Sequence, residues 1–183
     1  MTNTALLIID IQNDYFSEGK WTLVGQEKAA QQASRLLEHF RARAQPVFHV
    51  RHIATSPEAP FFAKGTVGSE IHNSVKPLKT EQVIIKSEIN SFKDTDLLQA
   101  LKEQDVSNLI IVGSMSHMCI DAAVRAASDY GFSCTVAEDA CATLDLNFND
   151  KTVPAAQVQA SYMSGLAFAY AEVISTDETI NRV

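Results

Sequence analysis

The chain reads as an α/β protein: a three-layer, Rossmann-like sandwich with a six-stranded, mostly parallel sheet and helices on both faces. Two observations predict this. Short apolar runs alternate with longer amphipathic stretches from end to end, the β-α-β-α order that builds parallel sheets. No internal repeat and no Gly/Ser- or Pro-rich linker divides the 183 residues, so a single domain over residues 1–183 is expected.

The elements follow in order. Ala5–Ile9 is a continuous apolar run, as suits a strand covered on both faces. Gln26–Arg43 carries Ala29, Ala33, Leu36, Leu37 and Phe40 at helical spacing. Pro46–Val50 is the second strand. Residues 53–75 hold Pro57, Pro60, Gly65 and Gly68 and read as a long loop of the kind that walls or covers a binding site. Gln82–Ile85 is the third strand, and Asp94 is the expected N-cap of a helix holding Leu97, Leu98 and Leu101. Asn108–Val112 is the fourth strand, followed by a helix over His117–Asp129 that Gly131 stops. Phe132–Ala137 is the fifth strand, Ala155–Tyr170 the last helix and Ala171–Ile174 the sixth strand. Asn147–Asp150 reads as a turn and helix cap.

Hydrophobic residues at 46% and charged residues at 20% are ordinary for a globular domain. A formal net charge of −7 argues against nucleic acid or an anionic membrane as the main partner. The first residues carry neither a basic leader nor an apolar span. Three cysteines without framework spacing suggest free thiols in a reducing compartment, so the cytoplasm is the expected location.

Chemistry concentrates at three strand ends. Ile110–Val112 leads through Gly113 and a short turn to Cys119 at an expected helix start, where backbone N–H groups and the helix dipole favour thiolate over thiol. Leu6–Ile9 ends in Asp10, and Val83–Ile85 ends in Lys86. In parallel sheets ligands bind beyond the strands' carboxyl ends, so the three side chains can converge. Asp10 suits a general base, and Lys86 can lower the thiol pKa and hold Asp10 ionised. The backbone N–H groups of Cys119 and Met115 suit an oxyanion hole. Together they read as acyl transfer on a small-molecule amide through a thioester, with no cofactor. Each residue alone has a plainer reading: a buried thiol, a loop carboxylate, a solvated lysine. Two alternatives stay open, a hydrolase of another activated bond (ester or thioester) and a non-catalytic small-molecule binder.

At these residues the sequence resembles the isochorismatase-like cysteine hydrolases, which include nicotinamidases and N-carbamoylsarcosine amidase. The resemblance rests on Ile8-Ile9-Asp10-Ile11-Gln12-Asn13-Asp14-Tyr15-Phe16, on Lys86 with Ser91-Phe92, on Gly113 to Cys119 with Asp121-Ala122-Ala123-Val124-Arg125, and on Glu138-Asp139-Ala140-Cys141-Ala142. It implies a catalytic triad of Asp10, Lys86 and Cys119, a cis peptide at Ser114-Met115 that turns the Met115 N–H toward the oxyanion site, and a homo-oligomer, dimer or tetramer. Nicotinamidases of the family bind a metal through an Asp-x-His pair; here the region reads Phe48-His49-Val50-Arg51-His52-Ile53, without the Asp. His49 and His52, three apart on a strand, face opposite ways, so no metal is expected, and His72 reads as structural. Vinyl-ether hydrolysis in the family does not use a nucleophilic cysteine, so Cys119 points to amide chemistry.

Phe16, Trp21, His52 and Ser114 are the candidates for the substrate pocket, and Phe61 and Phe62 in the long loop are placed to cover it or reach a neighbouring subunit. His117 lies two residues from Cys119, a spacing that turns the two apart on a helix. Cys134 and Cys141 read as core and loop thiols, and Glu138-Asp139 as residues that order a loop.

Overall fold

The apolar run after the first residues becomes the middle of the sheet. In the computed structural model, which describes residues 3–56 and 58–183, strand β1 (Asn3–Ile9) lies between β2 (Val47–His52) and β4 (Val106–Ser114), parallel to both. The other strands are β3 (Gln82–Lys86), β5 (Ser133–Ala142) and β8 (Glu172–Ile174), in the order β3-β2-β1-β4-β5-β8, with every pairing parallel. Ala5 to Ile9 are all buried because both faces are covered.

Alternation along β1 divides the core in two. Leu6 and Ile8 face α1 (Gln26–Ala42), which supplies Ala30, Ala33, Leu36, Leu37 and Phe40. Ala5, Leu7 and Ile9 face the opposite layer of α2 (Leu97–Glu103), α3 (Asp121–Asp129) and α4 (Ala155–Ala169). The expected three layers are present. A closing helix, α5 (Thr176–Ile180), packs Ile180 beside α1 and begins with a capping box between Ser175 and Glu178.

Several boundaries differ from expectation. Asp94 does not cap α2: it sits at φ 54°, and Asp96 holds the cap position while the Thr95 hydroxyl receives the Leu97 N–H. Strand β5 runs on to Ala142, past the polar Glu138-Asp139, after a register break opposite Ile111 and Gly113. Asn147–Asp150 holds the expected turn but caps no helix: Asn149-Asp150 joins a hairpin, β6 (Leu146–Phe148) with β7 (Lys151–Val153), and takes positive φ of 47° and 60°, as a two-residue hairpin turn requires. The helix expected from His117 starts with a single π turn, Ser116–Ile120, before α3. The long loop holds two 3₁₀ turns, Val67–Ser69 and Asn73–Val75. Among the described residues, no helix is long and apolar enough to cross a membrane.

Candidate active site

The strand order changes direction between β1 and β4, which is where open parallel sheets form their crevice. Asp10 follows β1 directly at φ 53°, Lys86 is the last residue of β3, and Cys119 lies in the π turn after β4. Lys86 stands two strands from Asp10, a separation of about 9.6 Å at the usual strand spacing. Only a long cationic side chain bridges that gap across the end of β2.

It does so. Lys86 Nζ lies 2.8 Å from Asp10 Oδ2 and donates to Cys119 Sγ at 3.2 Å. Asp10, Lys86 and Cys119 are 0%, 2% and 3% exposed. The three groups singled out from separate strand ends therefore share one dry location. Lys86 also reaches the carbonyls of Glu88 at 3.0 Å and Ile89 at 3.3 Å, and His52 Nδ1 at 3.1 Å. Three ammonium protons thus face five acceptors, so the cation can follow a shift of charge between Asp10 and the sulfur without losing all its partners. The ion pair to Asp10 is close but off the axis of a directed hydrogen bond, and neither Asp10 oxygen has a directional partner among the described residues.

The electrostatics correct one expectation. Burial pushes the Cys119 thiol up to about 12, the Asp10 charge adds to the rise, and Lys86 opposes it without cancelling it. The helix start does not yield a standing thiolate, because the sulfur is sealed in beside a carboxylate. Burial disfavours the Lys86 ammonium, but Asp10 and Cys119 outweigh it and raise its pKa. His52 is lowered by burial and then by Lys86, so its Nδ1 is free to accept at neutral pH.

The remaining candidates divide. Ser114 is fully buried and donates to Gln26 Oε1 at 2.7 Å, and the Ser114-Met115 peptide is cis. Met115 packs with Tyr15, Leu23, Ala29, Phe62 and Ala142. Trp21 is 37% exposed and reaches the site only through a chain of rings: Trp21 to Phe61 at 4.9 Å, Phe61 to Phe62 at 5.0 Å, Phe62 to His52 at 5.8 Å. Phe16 does not wall the cysteine. It stacks on His72 at 3.6 Å, joins the core on the α1 face and lines a separate groove of about 870 Å³ with Asn13, Gly19 and Ser74.

The histidines do not gather. His49 Nε2 meets Glu81 at 2.9 Å in a cluster with Arg41, and His52 faces the Lys86 ammonium. Among the described residues no group of three His, Cys, Asp or Glu side chains is placed to hold a metal ion. His117 Nδ1 is 2.7 Å from Thr143 Oγ1, and Cys134 and Cys141 are buried free thiols. Asp139 accepts from the Thr176 N–H and hydroxyl at 2.7 and 2.8 Å, which ties the start of α5 to β5.

Sequence reasoning missed Gln12. Gln12 is fully buried; its Nε2 donates to the His52 and Ser69 carbonyls at 2.9 and 2.8 Å, and its Oε1 accepts the His52 N–H at 2.7 Å. It clamps the end of β2 to the long loop. The signal was a glutamine two residues past Asp10 on the same strand exit.

A family model described as the Isochorismatase domain matches residues 4–178. The uncharacterised isochorismatase family protein YddQ of Bacillus subtilis (strain 168) is 53% identical over 174 residues, 95% of this chain and 97% of that protein. Nicotinamidase 3 of Arabidopsis thaliana is 26% identical over 186 residues, 95% of this chain and 85% of that one. A crystal structure from Oleispira antarctica, assigned to the isochorismatase hydrolases, superposes with a TM-score of 0.95 at 56% identity and covers 98% of this chain and 97% of its own.

Proposed function

The chain belongs to the isochorismatase family of hydrolases, and on that premise we propose that it cleaves the C–N bond of a small amide through a cysteine thioester. The observation that carries the reading is the single ammonium 2.8 Å from Asp10 and 3.2 Å from Cys119 in a buried site. A buried ion pair beside an unrelated thiol has no structural advantage over an apolar core, since desolvation costs several kcal/mol for each charge. Likeness to a nicotinamidase favours an amide as the bond attacked.

The steps run on side chains of this chain. As the Cys119 sulfur attacks the carbonyl carbon, its proton passes to Asp10 and the carbonyl π electrons move onto oxygen. The oxyanion is held by the Met115 and Cys119 N–H groups. The C–N bond then breaks, the proton on Asp10 moves to the leaving nitrogen, and ammonia or an amine departs from a thioester. Water adds with Asp10 again taking the proton, and the carboxylic acid is released as Cys119 recovers its hydrogen. Lys86 balances the negative charge that moves between Asp10, sulfur and oxygen. Because the resting thiol is at about 12, deprotonation is coupled to attack rather than preceding it.

The test is ammonia release from a panel of small amides by the wild type, Cys119→Ala and Cys119→Ser. Loss of turnover in both variants with unchanged melting, and an acyl adduct on the wild type by intact mass, is the expected result. A folded Cys119→Ala protein that still turns over would sink the mechanism.

A further inference from the structure

The first turn of α1 is tied to the turn that carries the proposed oxyanion donors. The Val24 N–H, just before the helix, donates to the Thr143 carbonyl at 2.8 Å, one residue beyond β5. Ser114, the last residue of β4, pairs with Ala142 in the same place. Gln26, the first residue of α1, stands there too, and its Oε1 accepts the Ser114 hydroxyl at 2.7 Å. Both side chains are fully buried. One turn further along α1, Ala29 packs in one cluster with Met115 and Ala142.

The stability of the helix does not explain this amide. Gln26 Nε2 is buried and has no hydrogen-bond partner among the described residues, so its protons are desolvated and unpaired. A buried donor without an acceptor is costly, and an apolar side chain of similar length would avoid that cost. What the amide does hold is Ser114, and Ser114 carries the peptide nitrogen of Met115. The carbonyl side of Met115 is fixed separately, since it accepts the Met118 and Ile120 N–H groups at 3.0 and 3.2 Å. The nitrogen side hangs on Ser114, whose hydroxyl has Gln26 as its partner. We propose that Gln26 is a positioning residue for the amide hydrolysis: through the Ser114 hydroxyl it fixes the direction of the Met115 N–H, and so the place where the substrate oxygen takes up negative charge. An oxyanion donor works only when aimed at the position that oxygen will occupy. This deepens the amide-hydrolase reading and rests on it.

Two reagents that reach the same sulfur by different chemistry test it. p-Nitrophenyl acetate is attacked at a carbonyl: sulfur bonds to the acetyl carbon, the thiol proton passes to Asp10, and the π electrons move onto oxygen. They return as p-nitrophenolate leaves a thioester. Iodoacetamide is attacked at a saturated carbon: sulfur displaces iodide, the thiol proton is lost, and no oxyanion forms. Rates at one pH, read by p-nitrophenolate release and by mapped alkylation of Cys119, are compared in the wild type, Gln26→Met, Ser114→Ala and the double variant. The expected result is acylation slowed about 10- to 100-fold in Gln26→Met with alkylation unchanged; a donor lost outright costs about 10²–10³. Because Gln26 acts through Ser114, Ser114→Ala should show the same split, and the double variant should be no slower than the slower single one. Equal losses in both reactions, or none in either, in a Gln26→Met protein that melts with the wild type overturn the positioning role and leave the cysteine reading standing. Should Gln26→Met fail to fold, Ser114→Ala decides by the same two rates. Ester cleavage by Cys119→Ala as fast as by the wild type overturns the cysteine reading and this one with it.

Discussion

Replacing Asp10 by Asn is expected to make Cys119 more reactive toward an alkylating reagent while abolishing turnover, two effects of opposite sign from one substitution. Burial and then Asp10 hold the thiol at about 12. A thiol of that pKa is ionised to about one part in 10⁴ at pH 8. An adjacent charge moves a pKa by about 1–3 units, so loss of the carboxylate raises the thiolate population about tenfold for each unit. Nucleophilicity falls with pKa at a Brønsted slope of about 0.5, which leaves a net gain of about threefold per unit, or about 3- to 30-fold in all. Iodoacetamide rates from pH 6 to pH 10.5, with peptide mapping to separate Cys119 from Cys134 and Cys141, measure this directly. The wild-type rate should climb across the whole range, and Asp10→Asn should lie above it. A wild-type plateau near neutrality, or a slower Asp10→Asn, would refute a resting thiol held up by burial and Asp10.

Three further outcomes follow from residues outside that pair. Burial raises the Glu81 carboxyl, but hydrogen bonds from Arg41, the Leu78 N–H and His49 outweigh it and hold it down to about 2. With the folded value depressed below the unfolded 4.5, its contribution is full above that value and lost as pH falls from 4.5 toward 2; Glu81→Gln should cost about 2 kcal/mol at pH 7, with the gap closed by pH 2 in denaturant titrations. Gly113 sits at φ 128°, and an added Cβ would overlap the Ile9 carbonyl oxygen; Gly113→Ala should therefore lose about 3 kcal/mol or more, read by chemical unfolding. Gln12→Ala removes three hydrogen bonds from buried backbone groups and should cost about 2–3 kcal/mol while quickening proteolysis within residues 53–75; cleavage no faster than in the wild type would show that the loop is held elsewhere.

The sheet and the convergence of Asp10, Lys86 and Cys119 were legible because each rests on a long signal. Ala5–Ile9 and Gln26–Ala42 carry their burial in their periodicity, and Asp10, Lys86 and Cys119 inherit a common end from parallel strands. Phe16 and Tyr15 show where that logic stops. They are neighbours at the end of a three-residue 3₁₀ turn, too short to have a phase, and they face different clusters. The thiol was read from its local helix start, whereas its proton affinity is set by burial among residues from three distant segments. The extension of β5 past Glu138-Asp139 was hidden because Glu138 is exposed like a loop residue, while the Asp139 carboxylate is spent on the start of α5.

Lys86 hangs on an edge strand. Strand β3 is five residues long, pairs with β2 alone, and leaves Val83 and Ile85 half exposed. Such edges exchange their amide hydrogens through small fluctuations that leave the centre of a sheet intact. When β3 frays, Asp10 stays sealed beside β1 but loses its counter-ion, so the open state carries a stranded negative charge. That charge penalises every partial opening and couples the edge to the centre: the ion pair of the proposed catalytic site also acts as the latch of the β3 edge.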